Sequence, residues 1–316
     1  MNHLIWKLHR SQAYFAMGAL AAFIVILLVT GVVMADDYHR FLATCALTQS
    51  CSAGQGQLYS GDGAIFDIVN LTIVVPLLFG LFWGAPLIAK ELEDGTHDLA
   101  WTQGVTRRRW LTSNVLWCLT AAVVWGAVIS VLVMWWRGPE NALGSPFDAF
   151  DQQGIAPIAY AVFAVALGIA VGSFFKRVLP AIATTLGVFV AIRAAVGVYL
   201  RPHYVAPLVK TASLSGPGSN PPAGSWLISQ GLVGPHGQFL GGGLVLNDLP
   251  AACRSVPGVD KGSLIPCLTS HGFSNALTFQ PANRFWEFQG LESGLFLVLA
   301  AGLIVLSYRR VLGRDA

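Results

Sequence analysis

Six long apolar runs constrain the fold of this chain more than any other feature. Each can cross about 30 Å of hydrocarbon as an α-helix of roughly 20 residues. Charged residues make up only 11% of the chain, against about 25% in soluble domains. The sequence therefore predicts an all-α integral membrane protein with six transmembrane helices. The predicted spans are Tyr14–Met34, Ile65–Ile88, Leu111–Trp136, Ile155–Phe175, Val178–Leu200 and about Phe288–Tyr308.

The distribution of lysine and arginine predicts the orientation of these helices. With the N-terminus inside the cell, the basic residues of the two short outside loops are only Arg40 and Arg137. Cytoplasmic loops carry the excess of basic residues, so both termini are predicted to be cytoplasmic. The net charge of +3 is too small to suggest nucleic-acid binding. The basic residues assigned to the cytoplasm are Lys7, Arg10, Lys90, Arg107, Arg108, Arg109, Lys176, Arg177, Arg309, Arg310 and Arg314.

The chain divides into three parts. Residues 1–200 contain an N-terminal segment and the first five spans, and residues 286–316 contain the sixth span and a cytoplasmic tail. The opening "MNHLIWKLHRSQA" mixes apolar and basic residues, which suits a short helix in the inner headgroup layer or a frayed tail. Residues 201–285 contain 10 of the 16 prolines and 12 of the 34 glycines. This composition predicts a loop-rich extracytoplasmic cap between helices 5 and 6.

Four of the five cysteines fall in the predicted outside segments. Cys45 and Cys51 lie in the first outside loop, Cys253 and Cys267 lie in the large one, and Cys118 lies in the third span. Extracytoplasmic cysteines favour disulfides over free thiols, and four cysteines allow three connectivities. The pairs Cys45–Cys51 and Cys253–Cys267 each close a short loop and are the expected ones. No CxxC or Cys/His metal spacing is present, so no metal site is predicted.

The segment "KELEDGTHDLAWTQGVTRRRW" at residues 90–110 is longer than an ordinary loop between two helices, and its glycines and capping residues are placed as at helix ends. Gly95 is placed to end the second helix, since glycine is favoured just past a helix end. Thr96 can cap a short helix at 97–103, and Thr106 can cap the third span. The pattern predicts a separate cytoplasmic helix, with the element as a whole covering about residues 90–109.

A partner that held this element would transmit motion to the helices on either side. The alternative is that Arg107, Arg108 and Arg109 only enforce orientation and bind lipid phosphates.

The same segment resembles the Glu-x-x-x-Gly-Thr stretch and following arginine cluster of type-two ABC transporter permeases, and most closely an actinobacterial subgroup of them. Two further stretches resemble this subgroup: "LRPHY" at Leu200–Tyr204 and "FQPANRFWEFQGLESG" at Phe279–Gly294. The N-terminal "WKLHRSQ" resembles its opening, with Leu8 where glutamine is usual. The four stretches extend from the first helix to the last.

This resemblance implies a multi-pass permease subunit in the bacterial cell (plasma) membrane. It implies a homodimer of permease chains, each bound to a separate ABC ATPase subunit. Export of a lipid, drug or peptide is the expected direction of transport, because the sequence shows no binding-protein signature. The sequence contains no phosphate-binding loop, so ATP and magnesium would bind to the partner, and this chain is expected to bind no cofactor and to be no enzyme. On the family pattern, the ATPase-coupling residues are Glu91, Gly95, Thr96, His97, Trp101, Arg107, Arg108 and Arg109.

Two other functions remain open from the sequence. A membrane scaffold or sensor would bind a ligand through its extracytoplasmic cap. An intramembrane enzyme would need convergent catalytic groups at one depth, and no catalytic residues are predicted.

Charged residues within the spans need partners, because a charge near the bilayer centre costs about 2.5–3.5 kcal/mol. Arg193 is expected to pair with Glu292, with Asp67 as the alternative. Locking of the helices is the favoured role, and contact with substrate or snorkelling to the surface are the alternatives. Asn70, Phe79, Phe82 and Trp83 in the second span are candidates for lining a pathway, although such aromatic residues more often pack or anchor a helix.

Overall fold

A computed structural model describes residues 2–48, 67, 69–93, 106–175, 177–214, 221–235, 237, 239–240, 253 and 261–313. The chain forms two compact units. The helical unit consists of Met1–Pro139, Phe150–Ala195 and Gln289–Ala316. The sheet unit consists of Glu140–Ala149 and Val196–Phe288, so it includes a short segment that the sequence did not assign to it.

Within the described residues, six helices are long and apolar enough to cross a membrane, in agreement with the predicted number. Here they are named spans 1 to 6: Ala21–Ala43, Leu71–Glu93, Arg108–Trp136, Ala156–Phe174, Val178–His203 and Ala282–Leu312. The α-helices of spans 3 to 6 are Arg107–Trp136, Ala156–Phe174, Val178–Ala195 and Phe285–Leu312. A separate short α-helix, Gly138–Leu143, follows span 3.

The first helix is continuous from Asn2 to Thr48. The sequence suggested a separate interfacial helix before span 1, and the structure has no break there. Residues 2–17 contain neither glycine nor proline, so nothing in this stretch interrupts the backbone hydrogen bonds of a helix.

Span 2 is irregular in the middle. It begins with a 3₁₀ turn at Leu71–Val74, continues as α-helix at Val75–Phe79, widens to a π-turn at Gly80–Gly84 and returns to α-helix at Ala85–Glu93. Pro86 lacks the N–H that would bond to the carbonyl four residues earlier. The π-turn at Gly80–Gly84 therefore lies just before Pro86, which cannot form the hydrogen bond of a regular α-helical turn.

Span 4 is the most buried of the six: 78% of its apolar window is buried, against 17% for span 1. Two glycines of span 2, Gly80 and Gly84, face it with no side chain between the helices. A Cβ on Gly80 would lie 2.5 Å from the carbonyl oxygen of Ala164, and one on Gly84 would lie 2.7 Å from that of Val165. The two backbones are in direct contact, as small residues permit.

The face of span 4 that meets span 2 also carries two glycines in close contact with backbone atoms. A Cβ on Gly168 would lie 2.6 Å from the backbone nitrogen of Ala85, and one on Gly172 would lie 2.5 Å from its carbonyl oxygen. Each helix thus contributes a Gly-x-x-x-Gly pair, "GLFWG" and "GIAVG", to one interface.

Larger apolar side chains fill the spaces around this contact. One buried cluster joins spans 2, 3, 4 and 6, and it includes Leu87, Leu111, Val165 and Val311. A second cluster joins Leu27 of span 1 to span 3. The helical unit is therefore built outwards from span 4.

The sheet unit contains a four-stranded antiparallel sheet in the order β1-β4-β2-β3. The strands are β1 (Leu208–Ala212), β2 (Trp226–Val233), β3 (Phe239–Leu240) and β4 (Ser274–Gln280). The sequence predicted only a loop-rich segment here. Among the glycines and prolines, no run shows the clear alternation of apolar and polar residues that indicates a strand. An α-helix at Lys261–Ser270 precedes β4.

We expect Gly168→Ala to destabilise the protein by about 1–3 kcal/mol, since the added methyl group meets backbone atoms that cannot move aside. Gly187→Ala is the matched control. It introduces the same methyl group on span 5, where no atom beyond the neighbouring backbone of its own helix lies within 4 Å, and it should be neutral or stabilising by up to about 1 kcal/mol. Thermal unfolding in detergent measures both variants. Equal unfolding midpoints for the two would rule out the backbone contact as a determinant of stability.

Candidate functional site

Arg193 of span 5 lies between two carboxylates. Its Nη1 atom is 3.1 Å from Oε1 of Glu292, and its Nη2 atom is 3.0 Å from Oδ1 of Asp151. Glu292 belongs to span 6, and Asp151 lies in the turn that leads into span 4. One guanidinium group therefore joins three parts of the helical unit that are distant in sequence.

Tyr160 of span 4 completes this cluster. Its hydroxyl oxygen is 2.6 Å from Oε1 of Glu292 and 3.2 Å from Oδ1 of Asp151. The Cζ atom of Arg193 lies 3.5 Å from the centroid of the Tyr160 ring, which is a cation–π contact. Phe296 packs edge-on against the same ring, with centroids 4.9 Å apart. Arg193, Asp151, Glu292 and Tyr160 are called the charge cluster below.

The charge cluster is buried to different extents. The side chain of Glu292 is fully buried, that of Arg193 is 13% exposed and that of Asp151 is 26% exposed. Paired charges with satisfied hydrogen bonds avoid much of the large cost of an isolated buried ion. Removal of one partner leaves the other charge in the apolar interior. The arrangement can therefore hold spans 4, 5 and 6 in one geometry.

The sequence places these side chains on one face of span 6. Gln289, Glu292 and Phe296 recur at intervals of three and four residues, which puts them on the same side of an α-helix. All three are fully buried. Tyr160 and Phe163 are three residues apart on span 4, and both rings contact Phe296.

Gln289, three residues before Glu292 in span 6, forms a second set of polar contacts with the start of span 4. Its Oε1 atom accepts hydrogen bonds from the backbone N–H groups of Ile155 (3.0 Å) and Ala156 (2.7 Å). Its Nε2 atom donates to the carbonyl oxygens of Phe150 (2.9 Å) and Gln153 (3.1 Å). The first N–H groups of a helix have no partners within the helix, so Gln289 supplies the N-terminal cap of span 4 from another span.

Of the predicted intramembrane charges, the structure brings Arg193 and Glu292 together. Asp67 is exposed, and within the described part of the chain the acidic partners of Arg193 are Glu292 and Asp151. The sequence did not single out Asp151 because it lies in a loop, where an aspartate is ordinary.

The four predicted pathway residues do not share a surface. Phe79 lines a small open cleft between spans 2, 3 and 4. Trp83 packs in the apolar core, with its ring centroid 5.0 Å from that of Phe79. Phe82 is 58% exposed. The side-chain oxygen of Asn70 accepts hydrogen bonds from Arg137 (2.7 Å) and Gln152 (3.2 Å).

The predicted ATPase-coupling residues fall partly outside the described residues. Gly95, Thr96, His97 and Trp101 lie outside them, as does the side chain of Arg107. Glu91 is half-buried near the end of span 2, and Arg108 and Arg109 are exposed. The predicted cap on the following helix is confirmed: the N–H group of Arg109 bonds to Oγ1 of Thr106 at 3.4 Å.

Glu93 makes a contact that no sequence pattern indicates. Its Oε2 atom accepts a hydrogen bond of 2.8 Å from the backbone N–H of Val178, the first residue of the span 5 helix. Glu93 ends span 2 and lies within the predicted coupling element at about residues 90–109. It is thereby bonded to the start of the helix that carries Arg193.

Cys253 and Cys267 form a disulfide in the sheet unit, the second of the two expected pairs. The pair Cys45–Cys51 lies outside the described residues, which include neither Cys51 nor the side chain of Cys45. No metal site was predicted, yet His271 lies beside the disulfide, and the ligand atoms of the three residues are within 4.8 Å of one another.

A family model described as "ABC-2 membrane transporter related" matches residues 17–201, which is more than half of the chain. This chain belongs to that family. It is a multi-pass membrane protein of the transporter permease type, a class whose membrane components have no ATPase site of their own and generally work with an ABC ATPase subunit. The matched region includes Asp151, Tyr160 and Arg193, and it ends before Glu292. No curated protein and no solved structure matches the chain.

We expect Glu292→Leu to lower stability by up to about 3–5 kcal/mol, because it leaves the Arg193 guanidinium without its fully buried partner. The double variant Arg193→Met/Glu292→Leu removes both charges and should recover most of that loss. Thermal unfolding in detergent and the yield of folded protein report the effect.

Glu287→Leu is the matched control, since Glu287 is exposed on the same helix, and its effect should stay within about 0.5 kcal/mol. A double variant as unstable as Glu292→Leu alone would show that the ion pair does not lock the spans. Normal stability in all three variants, with altered transport, would instead favour contact between the charge cluster and substrate.

Proposed function

We propose that this chain is the permease subunit of an ABC exporter of a lipid, drug or peptide, driven by a separate ATPase subunit that engages the cytoplasmic segment at about residues 90–109. The observation that carries this proposal is the family match across residues 17–201. That region contains spans 1 to 4, all but the last two residues of span 5, and the whole connection between spans 2 and 3.

The bond between Glu93 and Val178 supports a route for coupling. A force on the segment after span 2 would act on Glu93, and the bond of 2.8 Å would pass it to the start of span 5. Arg193 lies 15 residues further along the same helix, about 22 Å at 1.5 Å per residue. Motion at the ATPase side would then reach the charge cluster near the far end of the α-helix Val178–Ala195.

The charge cluster has a defined role in this proposal. It holds span 5 to spans 4 and 6 through a small number of directional contacts, which can break and re-form as a set. Two permease chains in the bacterial cell membrane, with cytoplasmic termini and the sheet unit outside, complete the assembly. These features come from the resemblance in "KELEDGTHDLAWTQGVTRRRW" and from the distribution of basic residues.

The assembly is tested by purifying the tagged chain from its native membrane in a gentle detergent. We expect an ABC ATPase subunit to co-purify at near-equal stoichiometry and to hydrolyse ATP. Replacement of Glu91, or of Arg107–Arg109 together, should abolish its recovery. Recovery of the folded chain without any ATPase would favour the alternative, a membrane scaffold or sensor.

The coupling route is tested at Glu93. We expect Glu93→Ala to speed amide hydrogen exchange at the start of span 5, because a lost helix cap costs about 0.5–2 kcal/mol. ATP turnover by the purified complex should fall in the same variant. Glu93→Gln is the matched control, since its side-chain oxygen can still accept the bond from Val178, and it should resemble the wild type. Fast exchange with unchanged ATP turnover would contradict the route through Glu93.

A further inference from the structure

Three side chains with metal-binding atoms meet at the end of the helix Lys261–Ser270 in the sheet unit. The Nδ1 atom of His271 lies 3.9 Å from Sγ of Cys253 and 4.0 Å from Sγ of Cys267. Cys267 and His271 are four residues apart, so one helical turn places them on the same side. Cys253 is held among Leu268 and Phe273 and is 3% exposed.

We propose that the reduced form of this disulfide, together with His271, is a binding site for a thiolate-preferring divalent cation such as Zn²⁺. Two thiolates and an imidazole are the ligand set that zinc favours, and water or a further ligand would take the fourth position. The proposal adds a metal site in the sheet unit and does not depend on any part of the transport proposal.

The distances suit such a site. Zinc–sulfur bonds of about 2.3 Å and zinc–nitrogen bonds of about 2.0 Å require ligand atoms roughly 3.5–3.8 Å apart in a tetrahedron. The nitrogen of His271 is already close to that distance from both sulfur atoms. The sulfur atoms must separate, and rotation of the half-buried Cys267 side chain can achieve this while Cys253 stays in the core.

The redox step is a two-electron thiol–disulfide exchange. A dithiol reductant attacks one sulfur of the Cys253–Cys267 bond, that bond breaks, and the reductant leaves as its own disulfide. The two cysteine thiols formed in this way release two protons when Zn²⁺ binds. With the disulfide intact, both sulfurs are bonded to each other and neither can bind as a thiolate.

Accessibility also supports the proposal. His271 is exposed and Cys267 is only half-buried, so a reductant and an ion can reach the site. In the disulfide form, Nδ1 of His271 lies 2.8 Å from the carbonyl oxygen of Cys267, which holds the ring next to the sulfur atoms. A bound ion would replace this contact, with the imidazole proton carried on Nε2.

The test uses the full-length protein in detergent, with Cys45 and Cys51 replaced by serine and Cys118 by alanine so that no other thiol contributes. The protein is reduced, freed of reductant under anaerobic conditions and titrated with Zn²⁺ against a coloured chelator. Co²⁺ serves as a spectroscopic probe of sulfur ligation. We expect about one bound ion per reduced chain and none per oxidised chain.

Variants locate the site. His271→Ala should weaken Zn²⁺ binding at least as much as the roughly 10–100-fold that the loss of an outer-sphere partner costs. His203→Ala is the matched control: His203 is exposed, and its Nδ1 atom likewise lies 2.8 Å from a carbonyl oxygen four residues earlier, that of Tyr199. Its Zn²⁺ affinity should equal that of the parent.

Three results would overturn the proposal. They are the absence of Zn²⁺ binding by reduced, monodisperse protein, equal binding by the oxidised protein, and unchanged affinity in His271→Ala. Each would leave Cys253–Cys267 as a structural disulfide only. Because the assay measures metal binding without ATP or substrate, it gives an answer whether or not an ATPase co-purifies.

Discussion

The helical unit depends on the direct contact between the backbones of spans 2 and 4. Lipid chains are as apolar as leucine, so apolar burial alone gives little reason for helices to associate in a bilayer. Association must come from close fit and from polar contacts that lipid cannot offer. The glycine pairs at Gly80–Gly84 and Gly168–Gly172 provide the fit, because they let the two helices meet with no intervening side chain. Span 4 becomes the helix around which the others pack.

The polar contacts complete what the glycines begin. Gln289 uses all of its amide capacity at the N-terminus of span 4, with two accepted and two donated hydrogen bonds. One turn further along span 6, Glu292 binds Arg193 and Tyr160. Spans 4 and 6 are thus joined at two adjacent levels, one neutral and one charged. Since such groups have no alternative partner in hydrocarbon, these contacts specify which faces of the helices meet.

The number of spans and the proximity of Arg193 to Glu292 could be reasoned from the sequence, because each rests on a strong local signal. A 20-residue apolar run in a bilayer forms a spanning α-helix, and a charged residue within it needs a partner of opposite charge. The glycine pairs were not predicted, although Gly-x-x-x-Gly in an apolar segment is a known packing signal. Gln289 gave a weaker signal, a glutamine three residues before Glu292 in an otherwise apolar helix. Asp151 could not be found this way, because nothing in a loop sequence says which distant cation it will meet.

The sheet unit shows the limit of reasoning from composition. The many prolines and glycines of residues 201–285 mark its turns, but its strands pair across long distances in sequence. Leu208 of β1 lies opposite Phe279 of β4, and the helix Lys261–Ser270 lies between these strands in the chain. The grouping of Cys267, His271 and Cys253 has the same origin, since one ligand comes from a different segment. Cys267 and His271 are close because of their helical spacing, but the group of three ligand residues exists only because the fold brings Cys253 next to them.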